Sequence, residues 1–473
     1  MSFQSLSFLL FLAVTVTVCL AAGRKNRTAG LWLLLISCGV FYLSAFDRLA
    51  LGGFGVLLGG ALVTRAAITA PKPARGLYLT AACWHIGILL WYKCAGFFAP
   101  ELYHGWMPLG LSFFTFQQLW LLHESYTGEV ILRKQDGKAF FLYSFFFPSV
   151  TSGPILKPQN FFPQLKSGTF LTPDWQDVSA ALYAITLGTA KKVLLADPLG
   201  TVVANGWAMT ESLSAPGAWI TMLAYTLQLY LDFSGYCDIA TGCARLFGIC
   251  LPVNFNSPYR SLSVGEFWKR WHITLTSFLR ECLYFPLGGS RKGAAKAYLN
   301  IMIVFLVSGF WHGAGWTFII WGGLHGLAQI VERAWGKGRH AMPKGLQWVM
   351  TFLFVNLAWV FFRAPSLAAA GELFSAAVSG GWAVSLEALA SGVLDSEVTA
   401  IGTFLPMMES AMPALVLGGL LGVGLLVSLW PKNTIQKMEA FRPQRGTAIL
   451  CGVLLVWAML SFSSVATFIY SNF

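Results

Sequence analysis

The amino-acid sequence predicts an all-α polytopic membrane protein, and three observations carry that prediction. The chain has 473 residues, of which 56% are hydrophobic and 11% charged, whereas soluble domains carry roughly 25% charged residues. Apolar runs near the roughly 20 residues needed to cross a hydrocarbon core recur along it. Basic residues fall between those runs in alternating loops, the positive-inside pattern. Counting apolar runs gives about eleven to thirteen membrane-embedded helices, some of them broken or re-entrant. No polar stretch is long enough to fold alone, so residues 1–473 read as a single membrane domain.

The clearest runs are Phe3 to Ala22, Leu31 to Phe46, Leu77 to Ala99 and Ile449 to Tyr470. The first begins without a positive charge, so it is expected to stay as a transmembrane helix rather than act as a cleaved signal. Arg24 to Arg27, Lys72 to Arg75, Arg133 to Lys138 and Lys432 to Arg445 mark cytoplasmic loops, whereas the loops around Asp47 and Glu101 are nearly neutral. Both chain ends are then expected outside. The net charge of +12 is accounted for by this loop pattern and calls for no nucleic acid. The nine cysteines are scattered without a C-x-x-C pair and the histidines lack zinc spacing, so neither a disulfide framework nor a metal is expected.

The first hundred residues read as ordinary lipid-embedded helices with nothing catalytic. From about 105 to 365 the texture changes, and polar residues, prolines and glycines enter the apolar runs. An ionisable group at the bilayer centre costs a few kcal/mol or more unless it is buried in protein or lines a cavity. Broken backbone obeys the same rule. This stretch is therefore expected to hold the function.

His312 has the most informative surroundings. The run Leu299 to Trp311 extends about 20 Å, too short to span, and Gly313 and Gly315 loosen the chain after it. An imidazole is thereby expected at membrane depth beside broken backbone, the alternative being a structural histidine hydrogen-bonded between helices. Glu266 to Glu281 reads as one amphipathic helix with Trp268, His272 and Thr276 on a common face. Basic residues surround it. Lys269, Arg270, Arg280, Arg291 and Lys292, with Arg260, suit either the phosphates of a coenzyme A thioester or anionic lipid headgroups.

Asp232 and Asp238 flank Gly235, which suggests a bend, and they are expected to pair with Arg245 or cap a broken helix rather than form a catalytic dyad. Gly153-Pro154 marks a turn. Asn205, His325 and Glu332 stand as singletons, His325 as a packing or gating residue. There is no Walker loop, dinucleotide fingerprint or nucleophile elbow.

Several segments together resemble the membrane-bound O-acyltransferase superfamily, in particular its bacterial branch that acetylates exported alginate. They are Pro108 to Gln117, Pro148 to Ile155, Asp232 to Asp238, Leu251-Pro-Val-Asn-Phe-Asn256, Phe267-Trp-Lys-Arg-Trp-His272, Pro286 to Arg291 and Trp311-His-Gly313. The resemblance implies a catalytic core over 105–365 around a central tunnel. It makes His312 the catalytic histidine and His272 its partner across that tunnel. It further implies acetyl-CoA as a donor that is not permanently bound, periplasmic esterase-like partner proteins, a polysaccharide acceptor such as alginate or cellulose, and the bacterial inner membrane as location. The chain departs from the family pattern at Glu281, where an aspartate is usual, and at His123-Glu124.

Two readings of the mechanism stay open, His312 as general base or as acyl-carrying nucleophile. The alternative function is a transporter or flippase for a lipid-linked sugar, which also buries polar groups around a central cavity but predicts repeated halves. No repeat is visible.

Overall fold

A computed structural model describes residues 3, 5–44, 48–70, 75–98, 106–336 and 342–462. Asp47, Lys72, Glu101, His104, His340 and the end of the last apolar run lie outside these. Among the described residues every regular element is helical, as lipid requires of a chain that must satisfy its own amides and carbonyls. The elements used below are α1 (Leu6–Lys25), α2 (Arg27–Tyr42), α3 (Arg48–Ile68), α4 (Arg75–Phe98), α5 (Leu111–Thr127), α6 (Trp175–Ala208), α7 (Ala215–Arg245), α8 (Val264–Arg270), α9 (Ile273–Leu279), α10 (Ala294–His312), α11 (Trp316–Trp335), α12 (Lys344–Arg363), α13 (Leu367–Ser379), α14 (Met412–Ser428) and α15 (Arg445–Leu460).

Six helices among the described residues are long and apolar enough to span a bilayer: α1, α3, α6, α10, α12 and Pro406–Ser428, which contains α14. Other long helices, such as α7, are less apolar because they bury polar side chains.

Several basic loops gather at one end of the bundle. Arg65 donates to the carbonyls of Arg133 and Lys134, Lys138 lies over the Trp32 ring, and Arg27 donates to Leu165 and Ser167. The same end holds the Arg245–Asp177 pair. At the opposite end Arg363 lies over Trp207, and Asn205 fastens the carbonyls of Leu389 and Ser391. The stretch 364–411, before α14, contains Glu372, Glu387, Asp395, Glu397 and Glu409 but no lysine or arginine.

The centre is the contact of α6 with α7. Gly188 and Gly235 let the two backbones touch: a Cβ on Gly235 would come 2.8 Å from the Gly188 carbonyl oxygen. Gly235 therefore serves close packing, and α7 runs through it as one helix of 31 residues. Opposite it, a π-helical turn at Lys191–Ala196 widens α6. Its two consecutive lysines reach different carboxylates, Lys191 to Asp238 at 2.6 Å and Lys192 to Asp232 at 2.7 Å and Asp197 at 2.6 Å. Asp232 and Asp238 are thus helix-to-helix ties, as a structural role requires, but their partners are these lysines. Arg245, expected as that partner, pairs with Asp177 because it lies two turns further along α7, beside the start of α6.

Candidate active site

The chain does not form one helix from Glu266 to Glu281. It breaks at Trp271-His272 into α8 and α9, and His272 adopts a left-handed conformation with φ 44°. The expected common face of Trp268, His272 and Thr276 is therefore lost. The cause is a second strand of backbone laid against the break. Asn256 N–H donates to the Arg270 carbonyl, and Ile273 N–H donates to the Asn254 carbonyl, both at 2.9 Å.

The Asn254 side chain completes the latch. Its Oδ1 accepts from the Thr274 amide at 3.2 Å and the Thr274 hydroxyl at 2.9 Å, and lies 3.2 Å from His272 Nδ1. An acceptor already engaged by an amide requires the imidazole to present N–H there, which fixes the His272 tautomer and aims Nε2 the other way. The left-handed turn at a bulky residue is tolerable only because its surroundings over-determine it. The L-P-V-N-F-N segment, quoted above without a role, is what holds His272. A small cavity of about 10 Å³ lies beside this latch, between Asn254, Cys237 and Asp238 on one side and Asn433, Thr434 and Ile435 on the other.

His312 is placed differently. Helix α10 starts at Ala294, directly after Gly293, and takes Lys296 and Asn300 into its first turns. At 19 residues it covers about 28 Å, so the expectation of a run too short to span is corrected. Asn300 can enter the helix because its amide clamps the Leu287 and Gly289 carbonyls of the preceding turn. The break itself falls where the glycines put it: α10 ends at His312 and Gly313 is extended. The α10–α11 hairpin is tight, because a Cβ on Gly309 would come 2.3 Å from the Phe318 carbonyl oxygen, a small-residue approach typical of membrane helices. His312 consequently stands at the end of α10 away from the basic loops, beside Phe362 near the end of α12.

Rings enclose it. Trp311 lies 4.5 Å, Phe362 5.0 Å and Trp321 5.2 Å from the imidazole centroid. Phe113 of α5 joins the two histidines, 6.3 Å from the His272 ring and 6.1 Å from Trp311. Both imidazoles are buried, and His312 is within electrostatic range of His272. The fold has brought together two histidines 40 positions apart in the sequence, at the broken ends of separate helices.

These observations decide the family. The pattern of the membrane-bound O-acyltransferase (MBOAT) family matches residues 75–370. The probable alginate O-acetylase AlgI of Pseudomonas fluorescens is 34% identical over 81% of this chain and 77% of its own length. The chain belongs to the membrane-bound O-acyltransferase family. A peptidoglycan O-acetyltransferase of Helicobacter pylori is 43% identical, over 57% of this chain and 56% of its own length. A teichoic acid D-alanyltransferase of Bacillus subtilis is 29% identical over 54% of this chain and 68% of its own. As a family member with these relatives, the chain is an O-acyltransferase.

Glu124 and Glu281 share one cation. Lys157 lies 3.6 Å from Glu124 and 2.9 Å from Glu281, and the Trp120 indole donates to Glu281. Burial works against the Lys157 charge, but the Glu281 hydrogen bond and the charges of Glu281 and Glu124 outweigh it and hold the ammonium above the ordinary lysine range. Of the basic candidates, Lys269, Arg280, Arg291 and Lys292 are exposed. Arg270 is already engaged, with Glu266 at 2.8 Å and with the Asn256 carbonyl.

The singletons tie elements together. His325 Nδ1 accepts from the Trp268 indole, which links α11 to α8. Glu332 caps α8 from a distance by accepting the Val264 and Gly265 amides.

One residue near the site lies in the region expected to carry nothing. Lys93, inside the apolar run Leu77 to Ala99, places its ammonium 5.4 Å from the Trp311 ring centroid and within electrostatic range of His312. The signal was a lone cation inside an otherwise apolar helix.

Proposed function

We propose that this O-acyltransferase takes an acetyl group from cytoplasmic acetyl-CoA and delivers it across the bacterial inner membrane to an exported polysaccharide of alginate or cellulose type, with periplasmic partner proteins completing the transfer. One observation carries the reading: His272 and His312 face a common buried ring cluster from the broken ends of two helices. The end holding the basic loops is the cytoplasmic one on the positive-inside rule. The exposed cations Lys269, Arg280, Arg291 and Lys292 there suit the phosphates of the donor.

In this scheme the acceptor hydroxyl oxygen attacks the thioester carbonyl carbon while the His312 imidazole takes its proton as general base. The carbon–sulfur bond then breaks, and the same proton passes to the departing thiolate. His272, fixed by Asn254, orients the donor from the other side. The surrounding rings keep bulk water from the thioester.

The named relatives support a glycan or wall-polymer acceptor, but they include a D-alanyl transferase, so membership alone does not choose the acyl group. Radiolabelled acetyl-CoA supplied to membranes containing this protein and its partners, with alginate, cellulose and peptidoglycan offered as acceptors, tests the reading. Label is expected on a glycan and absent with His312→Ala. Binding of donor without any label transfer would overturn it.

A further inference from the structure

Lys93 is expensive where it stands. It lies five residues from the end of α4 with its ammonium over the face of Trp311, and among the described residues no carboxylate pairs with it. A cation inside a membrane helix without a counter-charge is costly, which makes a functional use the default explanation. The cation–π contact offsets only part of that cost.

A second donor beside it is also unsatisfied. Trp311 is 5% exposed, and its indole N–H is buried without an acceptor. An orphaned buried donor is itself unfavourable. Among the described residues, two hydrogen-bond donors lacking acceptors therefore stand near the His312 imidazole, whose ring is 4.5 Å from that of Trp311. A group that gains negative charge as it reacts would satisfy both.

We propose that Lys93, assisted by the Trp311 indole N–H, stabilises the oxyanion of the tetrahedral intermediate formed when the acceptor hydroxyl attacks the acyl carbonyl. This rests on the reading of His312 as the base. As the carbon–oxygen bond forms, the carbonyl π electrons move onto oxygen, where the Lys93 ammonium and the indole N–H receive them. They return as the carbon–sulfur bond breaks. Lys93 keeps its own protons throughout. The carbonyl oxygen points to α4, the hydroxyl to His312 and the sulfur to the His272 side.

The test compares K93M, which keeps length without charge, with K93R, which keeps charge, and with H312A, all as reconstituted full-length protein with acetyl-CoA and a glycan acceptor. Loss of one oxyanion donor lowers kcat by about 10²- to 10³-fold. K93M is expected to show that loss in kcat with KM for acetyl-CoA within about twofold, and K93R is expected to recover at least about tenfold of it. K93Q substitutes for K93M if the latter fails to insert. Wild-type kcat in K93M, or equal losses in K93M and K93R, would overturn the proposal. A dead H312A beside a full-rate K93M removes only the Lys93 role, whereas an active H312A removes the base reading itself.

Discussion

The two histidine-bearing breaks solve the same problem by opposite means. At His272 the chain is forced into a left-handed turn and held by polar ties: backbone bonds from the 254–256 strand and three contacts to Asn254 Oδ1. At His312 the helix simply ends before glycine, and the imidazole rests among aromatic rings. The first arrangement fixes a tautomer and an orientation. The second surrounds the imidazole with rings and imposes little direction. In the function proposed above, positioning belongs to the former and proton transfer to the latter.

Removing the imidazoles tests that division most strongly. His312→Ala should lower acyl transfer by about 10²- to 10⁴-fold, the usual worth of a general base, while thermal unfolding in detergent stays near wild type. Near-normal glycan acylation by that variant would end the assignment. His272→Ala should cost less, on the order of 10- to 100-fold, since orientation rather than proton transfer is lost. An equal or greater loss there would reverse the roles.

The latch itself comes next. Asn254→Leu leaves the Thr274 amide without its acceptor in a buried site, so it should destabilise the protein by about 1 to 3 kcal/mol and reduce activity along with His272→Ala rather than beyond it. A double variant of His272 and Asn254 no slower than the His272 variant alone would support that coupling, and additive losses would contradict it.

The smallest effects concern the charges around the His272 break. Reversal at Lys269 or Arg280 should raise KM for acetyl-CoA several-fold at low salt and less at high salt, because phosphate pairing at an exposed site is screened within about 10 Å at 0.1 M. Arg270→Glu should instead lower stability, since that guanidinium already holds Glu266 and Asn256. Salt-independent donor binding by all three would return the cluster to lipid headgroups.

Most helices were legible, because hydropathy reports lipid contact directly. The break after His312 was legible too, since glycines announce it. The break at His272 was not: R-W-H carries no glycine or proline, and the strand that imposes it lies 14 to 18 residues upstream, where no local periodicity reaches. Lys191 and Lys192 are neighbours in the sequence, and only the π-helical turn sends one to Asp238 and the other to Asp232. Lys93 was overlooked because its helix is apolar on average. A mean conceals the single expensive residue, which is the one that carries information. Glu124 and Glu281 each looked like a local oddity, and only Lys157, standing between them in space, makes them one device.

The uneven placement of charge along the bundle has an electrical meaning. One end collects Arg27, Arg65, Arg133 and Lys138, and the 364–411 stretch at the other is acidic and free of lysine and arginine. Carrying one elementary charge through a potential of about 100 mV is worth about 2.3 kcal/mol. In the orientation proposed above, the molecule is a dipole lying along the resting voltage of an energised cell. Relative to that orientation, an inverted copy would hold those charges against the field, so the resting voltage would favour the proposed orientation over its inverse.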